Sequence, residues 1–146
     1  MVDILLMDDD EDFTSVLDEA LKNAGHKTTI ARSASEALEL IRLERFDLLI
    51  ADLIVFKDKK SVPDGGISLI SRLRGPTNRN LEPWARTMPI IAISGAIHNF
   101  GMTNILKVAQ SLGADIALGK PTDTEDLLHA INTLTKHARK SPADQA

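Results

Sequence analysis

The sequence contains no cysteine and no tyrosine, and aromatic residues make up only 3% of its 146 residues. Without cysteine the chain cannot form disulfides, thiolate nucleophiles or cysteine-based metal sites. Nothing therefore favours an oxidising compartment, and we expect a cytoplasmic location. With so few aromatic rings, stacking platforms for bases, flavins or sugars are hard to build.

Long apolar runs and an excess of basic charge are also missing. No segment approaches the roughly 18 apolar residues that a membrane-spanning helix requires, and the acidic start MVDILLMDDDEDF is unlike a cationic signal peptide. The formal net charge of -4 gives no electrostatic reason to bind nucleic acid directly. An apolar fraction of 43% fits one domain, which we expect at residues 1–140, followed by a flexible tail at 141–146.

Short apolar runs alternate with helical patterns along the chain. Five runs predict strands buried in a parallel sheet: 4–7, 28–31, 48–51, 90–93 and 116–118. Helices are predicted between them, two of them at 66–74 and 99–112. Five successive strand-and-helix units indicate a doubly wound α/β fold.

Three helix starts carry sequence signals. Ser33 with Glu36 and Thr122 with Glu125 have the spacing of capping boxes. Acidic residues at 10–12 are expected to cap the first helix and to interact with its dipole. Apolar residues of that helix recur at spacings of three and four and are expected to face the sheet: Phe13, Val16, Leu17, Ala20, Leu21 and Ala24.

Polar side chains follow four of the five predicted strands. They are Asp8 and Asp9 after the first strand, Asp52 after the third, Ser94 after the fourth and Lys120 after the fifth. Because ligands bind outside the carboxyl ends of the strands in an open parallel sheet, this edge is the expected site. Three aspartates at the opposite strand ends are expected to be solvated: Asp3, Asp47 and Asp115.

Carboxylates gathered at one edge need a compensating charge, because two unit charges about 4 Å apart repel by about 4 kcal/mol at an effective dielectric constant near 20. Mg²⁺ binds one or two carboxylates and leaves positions for phosphate oxygens, and Lys120 supplies a compact positive charge. Asp52 offers a nucleophile of the kind that forms aspartyl phosphates, and Ser94 offers a hydroxyl donor. Together these groups predict phosphoryl transfer assisted by Mg²⁺.

The segments MDDDED, FDLLIADL, AISGA and GADIALGKPTDTEDL resemble, in this order, the signature segments of the response regulator receiver family over residues 3–138. The resemblance implies a flavodoxin-like fold with a five-stranded parallel sheet in the order 2-1-3-4-5 and helices on both faces. It also implies that Asp52 accepts the phosphoryl group while Ser94 and Lys120 contact the phosphate. The Mg²⁺ ligands would be the side chains of Asp9 and Asp52 and the backbone carbonyl of Ile54, with Asp8 binding the metal directly or through a metal-bound water. The bond before Pro121 would be cis.

The resemblance further implies a single-domain response regulator, which is a regulatory phosphoacceptor rather than an enzyme in the usual sense. Its partners would be a sensor histidine kinase or histidine phosphotransfer protein and a downstream effector protein. Since no effector domain follows the last helix, output is expected through protein contacts around the family's fourth helix, fifth strand and fifth helix.

Three departures from the family pattern limit this comparison. Ala117 stands where an aromatic switch residue is usual. The connection at 53–64 is enlarged and has Phe56 in place of a proline; it and the long connection at 75–88 are either partner-binding surfaces or solvated insertions. Ile54 and Ala96 cannot orient an attacking water by hydrogen bonding, so we expect slow self-dephosphorylation.

Three other readings compete with the phosphorylated receiver. A degenerate receiver that works as a phosphorylation-independent interaction module is suggested by Ala117 and the altered connection. A hydrolase of the haloacid-dehalogenase type would need an Asp-x-Asp-x-Thr/Val run, which residues 8–12 do not complete. A flavodoxin would need a phosphate loop rich in Ser, Thr and Gly where this chain has carboxylates that repel phosphate.

Overall fold

Strands and helices alternate along the chain in the computed structural model, which describes residues 2–53, 55–57, 60–62, 65–75, 80–95, 105–120 and 123–138. In chain order the elements are β1 (Asp3–Met7), α1 (Glu11–Asn23), β2 (Lys27–Ala31), α2 (Ala34–Leu43), β3 (Leu48–Asp52), β4 (Val55–Lys57), β5 (Lys60–Val62), α3 (Gly66–Arg74), α4 (Pro83–Thr87), β6 (Ile90–Ser94), α5 (Ile105–Leu112), β7 (Ile116–Gly119) and α6 (Thr124–Ala138). The predicted tail at 141–146 lies outside the described residues. No helix in the described ranges is both long enough and apolar enough to cross a membrane.

Five strands form one parallel sheet in the order β2-β1-β3-β6-β7. This order confirms the predicted arrangement, with β6 and β7 as the fourth and fifth strands of the sheet. In the register of the sheet, Asp52 of β3 lies opposite Ile93 of β6, and Ser94 lies opposite Gly119 of β7. The polar strand ends are therefore side by side at one edge.

Successive strand residues point to opposite faces, and each face has its own core. On one face Leu5, Leu49 and Ile90 pack with buried residues of α2 and α3. On the other face Leu6, Ile50 and Ile91 pack with buried residues of α1 and α6. Helices on both faces explain why the strands read as unbroken apolar runs, as the doubly wound prediction required.

The predicted caps of α1 and α2 are confirmed. Asp10 caps α1 by accepting from the backbone N–H of Phe13 at 3.0 Å, and Ser33 caps α2 by accepting from that of Glu36 at 3.2 Å. At α6 the carboxylate of Asp123 accepts from the backbone N–H of Glu125 at 2.9 Å. Asp123 is the residue before the first helical residue, Thr124, and the cap predicted at Thr122 lies outside the described residues.

The predicted apolar face of α1 was too wide. Leu17 and Leu21 are buried, but the Val16 side chain is 68% exposed and Ala24 is exposed at the C-cap, beyond the last helical residue. An α-helix turns by about 100° per residue, so one face holds two rows of buried residues and a third row falls on its flank. Val16 lies on that flank.

The two long connections contain regular structure that the sequence did not predict. Strands β4 and β5 pair as an antiparallel hairpin in a sheet of their own, and α4 lies in the second connection. The guanidinium of Arg74, at the end of α3, donates to the carbonyl oxygens of Arg86, Met88 and Gly113 at 2.5, 2.6 and 3.2 Å. Arg74 therefore fixes the second connection to the α5–β7 turn.

Two of the aspartates predicted to be solvated have structural roles. The Asp47 carboxylate accepts from the backbone N–H of Asp3 at 2.8 Å, and the Asp115 carboxylate accepts from that of Ile90 at 2.8 Å. Each carboxylate thus accepts from the first backbone N–H of a strand, that of β1 or that of β6. Asp47 is half-buried, so the expectation of solvation was wrong for it; Asp115 is exposed, as expected, although its carboxylate also binds the backbone of β6.

Candidate functional site

Three carboxylates converge at the carboxyl edge of the sheet. Asp8 and Asp9 follow β1, and Asp52 ends the neighbouring β3; one oxygen from each lies within 4.8 Å of the others. Asp8 is fully buried, Asp52 is 5% exposed and Asp9 is half-buried. The sequence predicted this meeting from strand ends alone, and the structure brings all three together.

Lys120 lies against this cluster. Its Nζ is 2.7 Å from Oδ2 of Asp8 and 3.8 Å from Oδ2 of Asp52. The lysine side chain is only 17% exposed, and its backbone N–H donates to the carbonyl oxygen of Ser94 at 2.9 Å. Within the part of the chain that the structure describes, the ammonium of Lys120 therefore faces the carboxylates from the end of β7.

Ser94 lies between the strands that carry Asp52 and Lys120. It ends β6, its side chain is buried, and the preceding Ile93 is opposite Asp52 in the register. The backbone N–H of Leu53 donates to the carbonyl oxygen of Ile93 at 2.9 Å, which extends the pairing of β3 and β6 past Asp52. A hydroxyl is thus held on the strand next to the carboxylate that was predicted to react.

The electrostatics of the cluster favour a neutral Asp52 when no cation is bound. Burial raises the pKa of the Asp52 carboxyl to about 8, and the charge of Asp8 adds to this rise while Lys120 opposes it. The ordinary pKa of an aspartate is near 4. Without a cation, the negative charge of the carboxylates therefore exceeds what Lys120 offsets.

Arg32 and Thr14 support the segment that carries Asp8, and neither was among the predicted site residues. Arg32 donates to the carbonyl oxygen of Asp8 at 3.2 Å and to the hydroxyl of the buried Thr14 at 2.8 Å. The backbone N–H of Asp10 donates to the Asp8 carboxylate at 3.0 Å. The contacts of Arg32 are to oxygens that leave no sequence pattern, so no signal could have found it.

Gly66 brings α3 directly against the backbone of Asp52. A Cβ atom at this position would lie 2.5 Å from the carbonyl oxygen of Asp52 and 3.0 Å from Cα of Leu53. Any side chain there would force the helix and the strand end apart. Glycine is required at position 66 because it has no side chain, and not because of its conformational freedom.

Phe13 also lies beside Lys120, although from the sequence it was predicted only to face the sheet. The centre of its ring lies 4.3 Å from Nζ of Lys120, in the geometry of a cation–π contact. Phe13 is half-buried, in the first turn of α1. An aromatic residue soon after the acidic segment was the available sequence signal.

Of the positions at which this chain departs from the family pattern, the structure describes Ala117. Ala117 lies in β7 opposite Ala92, and it is half-buried against the core of the face that α2 and α3 cover. No aromatic ring therefore occupies this position of the strand. Ile54, Ala96 and Pro121 lie outside the described residues, as does the peptide bond predicted to be cis.

Comparison with known proteins identifies a family for this architecture. The response regulator receiver domain family matches residues 4–132. The response regulator receiver protein Anae109_2439 of Anaeromyxobacter is 35% identical over 88 residues, covering 60% of this chain and 32% of that protein. An uncharacterized 14.6 kDa protein of Leptolyngbya boryana is 30% identical over 131 residues, covering 89% of this chain and 87% of that protein.

Solved structures agree with the family match. The receiver domain of the Francisella response regulator 1452 superposes with a TM-score of 0.74 at 25% identity, covering 94% of this chain and 99% of that one. The chain spans about a third of the length of the Anaeromyxobacter relative. The family match over most of the chain, the sheet order and the acidic edge agree: the chain belongs to the response regulator receiver family.

Proposed function

We propose that this receiver accepts a phosphoryl group on Asp52 from a phosphohistidine of a sensor histidine kinase or a histidine phosphotransfer protein. The observation that carries the proposal is the buried cluster of Asp8, Asp9 and Asp52 with Lys120 against it. Phosphorylation then alters contacts with a downstream effector protein. The family is one of regulatory phosphoacceptor domains, and the proposal gives this chain that role rather than that of an enzyme with a separate substrate.

The donor set fits Mg²⁺. It consists of carboxylate oxygens, one from each of Asp8, Asp9 and Asp52, which is the ligand chemistry that Mg²⁺ prefers. The backbone carbonyl of Ile54 would be a further ligand under the family resemblance. When bound, the ion would neutralise the carboxylates and the charge of the incoming phosphoryl group. The high pKa of Asp52 without a cation supports this assignment, because the carboxylate needs positive charge to be ionised.

The proposed reaction is an in-line displacement at phosphorus. An ionised Asp52 oxygen attacks the phosphorus of the phosphohistidine; the O–P bond forms as the P–N bond breaks. The bonding electron pair goes to the imidazole nitrogen of the donor, which then takes a proton from solvent. Nζ of Lys120 and the hydroxyl of Ser94 donate to the transferred oxygens, which carry the charge in the transition state.

Location and partners belong to the same proposal. A cysteine-free chain needs no oxidising compartment, so we place the protein in the cytoplasm with its kinase domain partner. The net charge of -4 supports protein contacts rather than direct binding to nucleic acid.

A second candidate function is that of an interaction module which works without phosphorylation. Ala117 favours it, because the small side chain at this position cannot swing with a phosphate as an aromatic residue would. Under this reading the acidic cluster would not support phosphoryl transfer.

Phosphorylation from a small donor separates the two functions. The protein is incubated with Mg²⁺ and acetyl phosphate, and its intact mass is followed; Asp52→Asn and chelation of the metal are the tests, and the exposed Asp12→Asn is the matched control. A single phosphoryl adduct that requires Asp52 and metal, and that survives in Asp12→Asn, supports the phosphoacceptor. If no adduct forms and BeF₃⁻ with Mg²⁺ does not bind, the interaction module replaces it.

A further inference from the structure

Phe13 is fixed to the same segment of chain that carries the acidic cluster. It lies in the first turn of α1, and its backbone N–H donates to the carboxylate of the helix cap Asp10 at 3.0 Å. Asp10 in turn donates its own N–H to the carboxylate of Asp8 at 3.0 Å. The position of the ring is therefore tied through two hydrogen bonds to the buried carboxylate that contacts Lys120.

Asp8, Asp52 and Phe13 each attract the ammonium of Lys120. Asp8 lies 2.7 Å from Nζ, Asp52 lies 3.8 Å from it, and the centre of the Phe13 ring lies 4.3 Å from it. A cation within about 6 Å of a ring centre is attracted by the negative face of the ring. The contact with the Phe13 ring thus helps to determine the position of the Lys120 ammonium.

An aromatic ring restrains a lysine in a way that other residues at this position would not. The side chain of lysine is long and flexible, and its ammonium carries three rotatable donors. A carboxylate in place of the ring would add a fourth negative charge to a cluster that already raises the pKa of Asp52. An aliphatic side chain would pack against the stem of Lys120 but would not attract the charge. The ring attracts the cation and adds no net charge.

We propose that Phe13 is a positioning residue for Lys120: it holds the ammonium beside the acidic cluster so that its N–H groups meet the oxygens of the incoming phosphoryl group. The expected effect on the rate of phosphorylation rests on the proposed phosphoacceptor function, whereas the contact between the ring and the ammonium does not. Phe13→Leu keeps an apolar side chain of similar size and removes the ring face. We expect this change to slow adduct formation about fivefold, which corresponds to about 1 kcal/mol. Phe13→Trp should restore most of the rate, because indole attracts cations more strongly than phenyl.

The contact itself can be measured without phosphorylation. In protein labelled with ¹³C at the lysine ε position, the signal of Lys120 should be shifted upfield by the ring current of Phe13. Lys120→Arg assigns the signal by removing it. The shift should vanish in Phe13→Leu and persist in Phe13→Trp and in the control Val16→Leu, a flanking position of the same helix that is 68% exposed. A Lys120 signal that is unchanged by Phe13→Leu would overturn the proposal.

A double-mutant cycle then tests whether Phe13 acts through the lysine. Adduct formation from acetyl phosphate with Mg²⁺ is measured for Phe13→Leu in the natural chain and in Lys120→Gln. We expect the fivefold loss in the first background and no further loss in the second. An equal loss in both backgrounds would mean that Phe13 acts by packing alone, which also overturns the proposal. If the natural chain takes up no phosphoryl group, the proposed function fails, and the spectroscopic comparison still decides whether the ring holds Lys120.

Discussion

Replacing Asp52 by asparagine should stabilise the metal-free protein, and the gain should grow as the pH rises. In the folded chain the pKa of Asp52 is raised to about 8 by burial and by the charge of Asp8. In the unfolded chain it returns to about 4. Between these values the folded state holds a proton that the unfolded state has lost, so this group makes the natural protein less stable with every step upward in pH.

The size of the effect follows from the pKa shift. The interval from pH 5 to pH 7 lies wholly between the two pKa values, and each unit corresponds to about 1.4 kcal/mol, so Asp52 removes about 3 kcal/mol of stability across it. Asparagine has no proton to lose. The free energy of unfolding of Asp52→Asn should therefore exceed that of the natural chain by about 3 kcal/mol more at pH 7 than at pH 5, or roughly 10 °C in Tm.

Urea unfolding at pH 5, 6 and 7 with EDTA measures this difference, provided that the slopes of the two proteins agree. The exposed Asp12→Asn controls for the loss of one carboxylate outside the cluster. Saturating Mg²⁺ should shrink the gap at pH 7, because the ion stabilises the ionised form of Asp52. A gap that stays constant from pH 5 to pH 7 in EDTA would refute the reasoning.

Three further predictions address the metal, the phosphate and the packing of the site. Mg²⁺ should raise the Tm of the natural chain and leave that of Asp52→Asn nearly unchanged; at ten times its Kd the ion adds about 1.4 kcal/mol, measurable by thermal unfolding. The aspartyl phosphate should persist for minutes to hours in the isolated protein with Mg²⁺, because Ile54 and Ala96 offer no side chain to orient a water; a lifetime of seconds by intact mass contradicts this. Gly66→Ala should destabilise the protein by about 1–3 kcal/mol in urea unfolding, since its Cβ would meet the carbonyl oxygen of Asp52 at 2.5 Å. Gly95→Ala, whose Cβ would lie 3.6 Å from Cδ of Lys120, is the matched control and should be tolerated.

The sheet and its acidic edge could be predicted because the chemistry follows the apolar runs. Asp8, Asp52 and Ser94 each directly follow a run that reads as a buried strand, and parallel strands bring their carboxyl ends to one edge. Lys120 was found in the same way after a weaker run. Their meeting needed no knowledge of side-chain geometry, only the order of strands.

Other features were missed for identifiable physical reasons. Phe13 fits the apolar periodicity of α1, and that periodicity hides its contact with a lysine far along the chain. Between β4 and β5 the sequence has no Asn-Gly or Asp-Gly pair, which is the usual sequence signal of a tight hairpin. In α4, Pro83 occupies the start of the helix, a position that proline favours, and this signal was available but not used.

A shortage of positive charge connects the stability of the site with its proposed function. Among the described residues that form the cluster, three carboxylates lie against the ammonium of Lys120, so negative charge is in excess if all three are ionised. The metal-free protein relieves part of this excess by keeping a proton on Asp52, whose pKa lies near 8. A divalent cation would offset this excess and favour loss of that proton, so binding of the metal and ionisation of the proposed nucleophile are linked. The excess of negative charge that destabilises the metal-free protein is then the same property that favours binding of Mg²⁺ and, with it, of an incoming phosphoryl group.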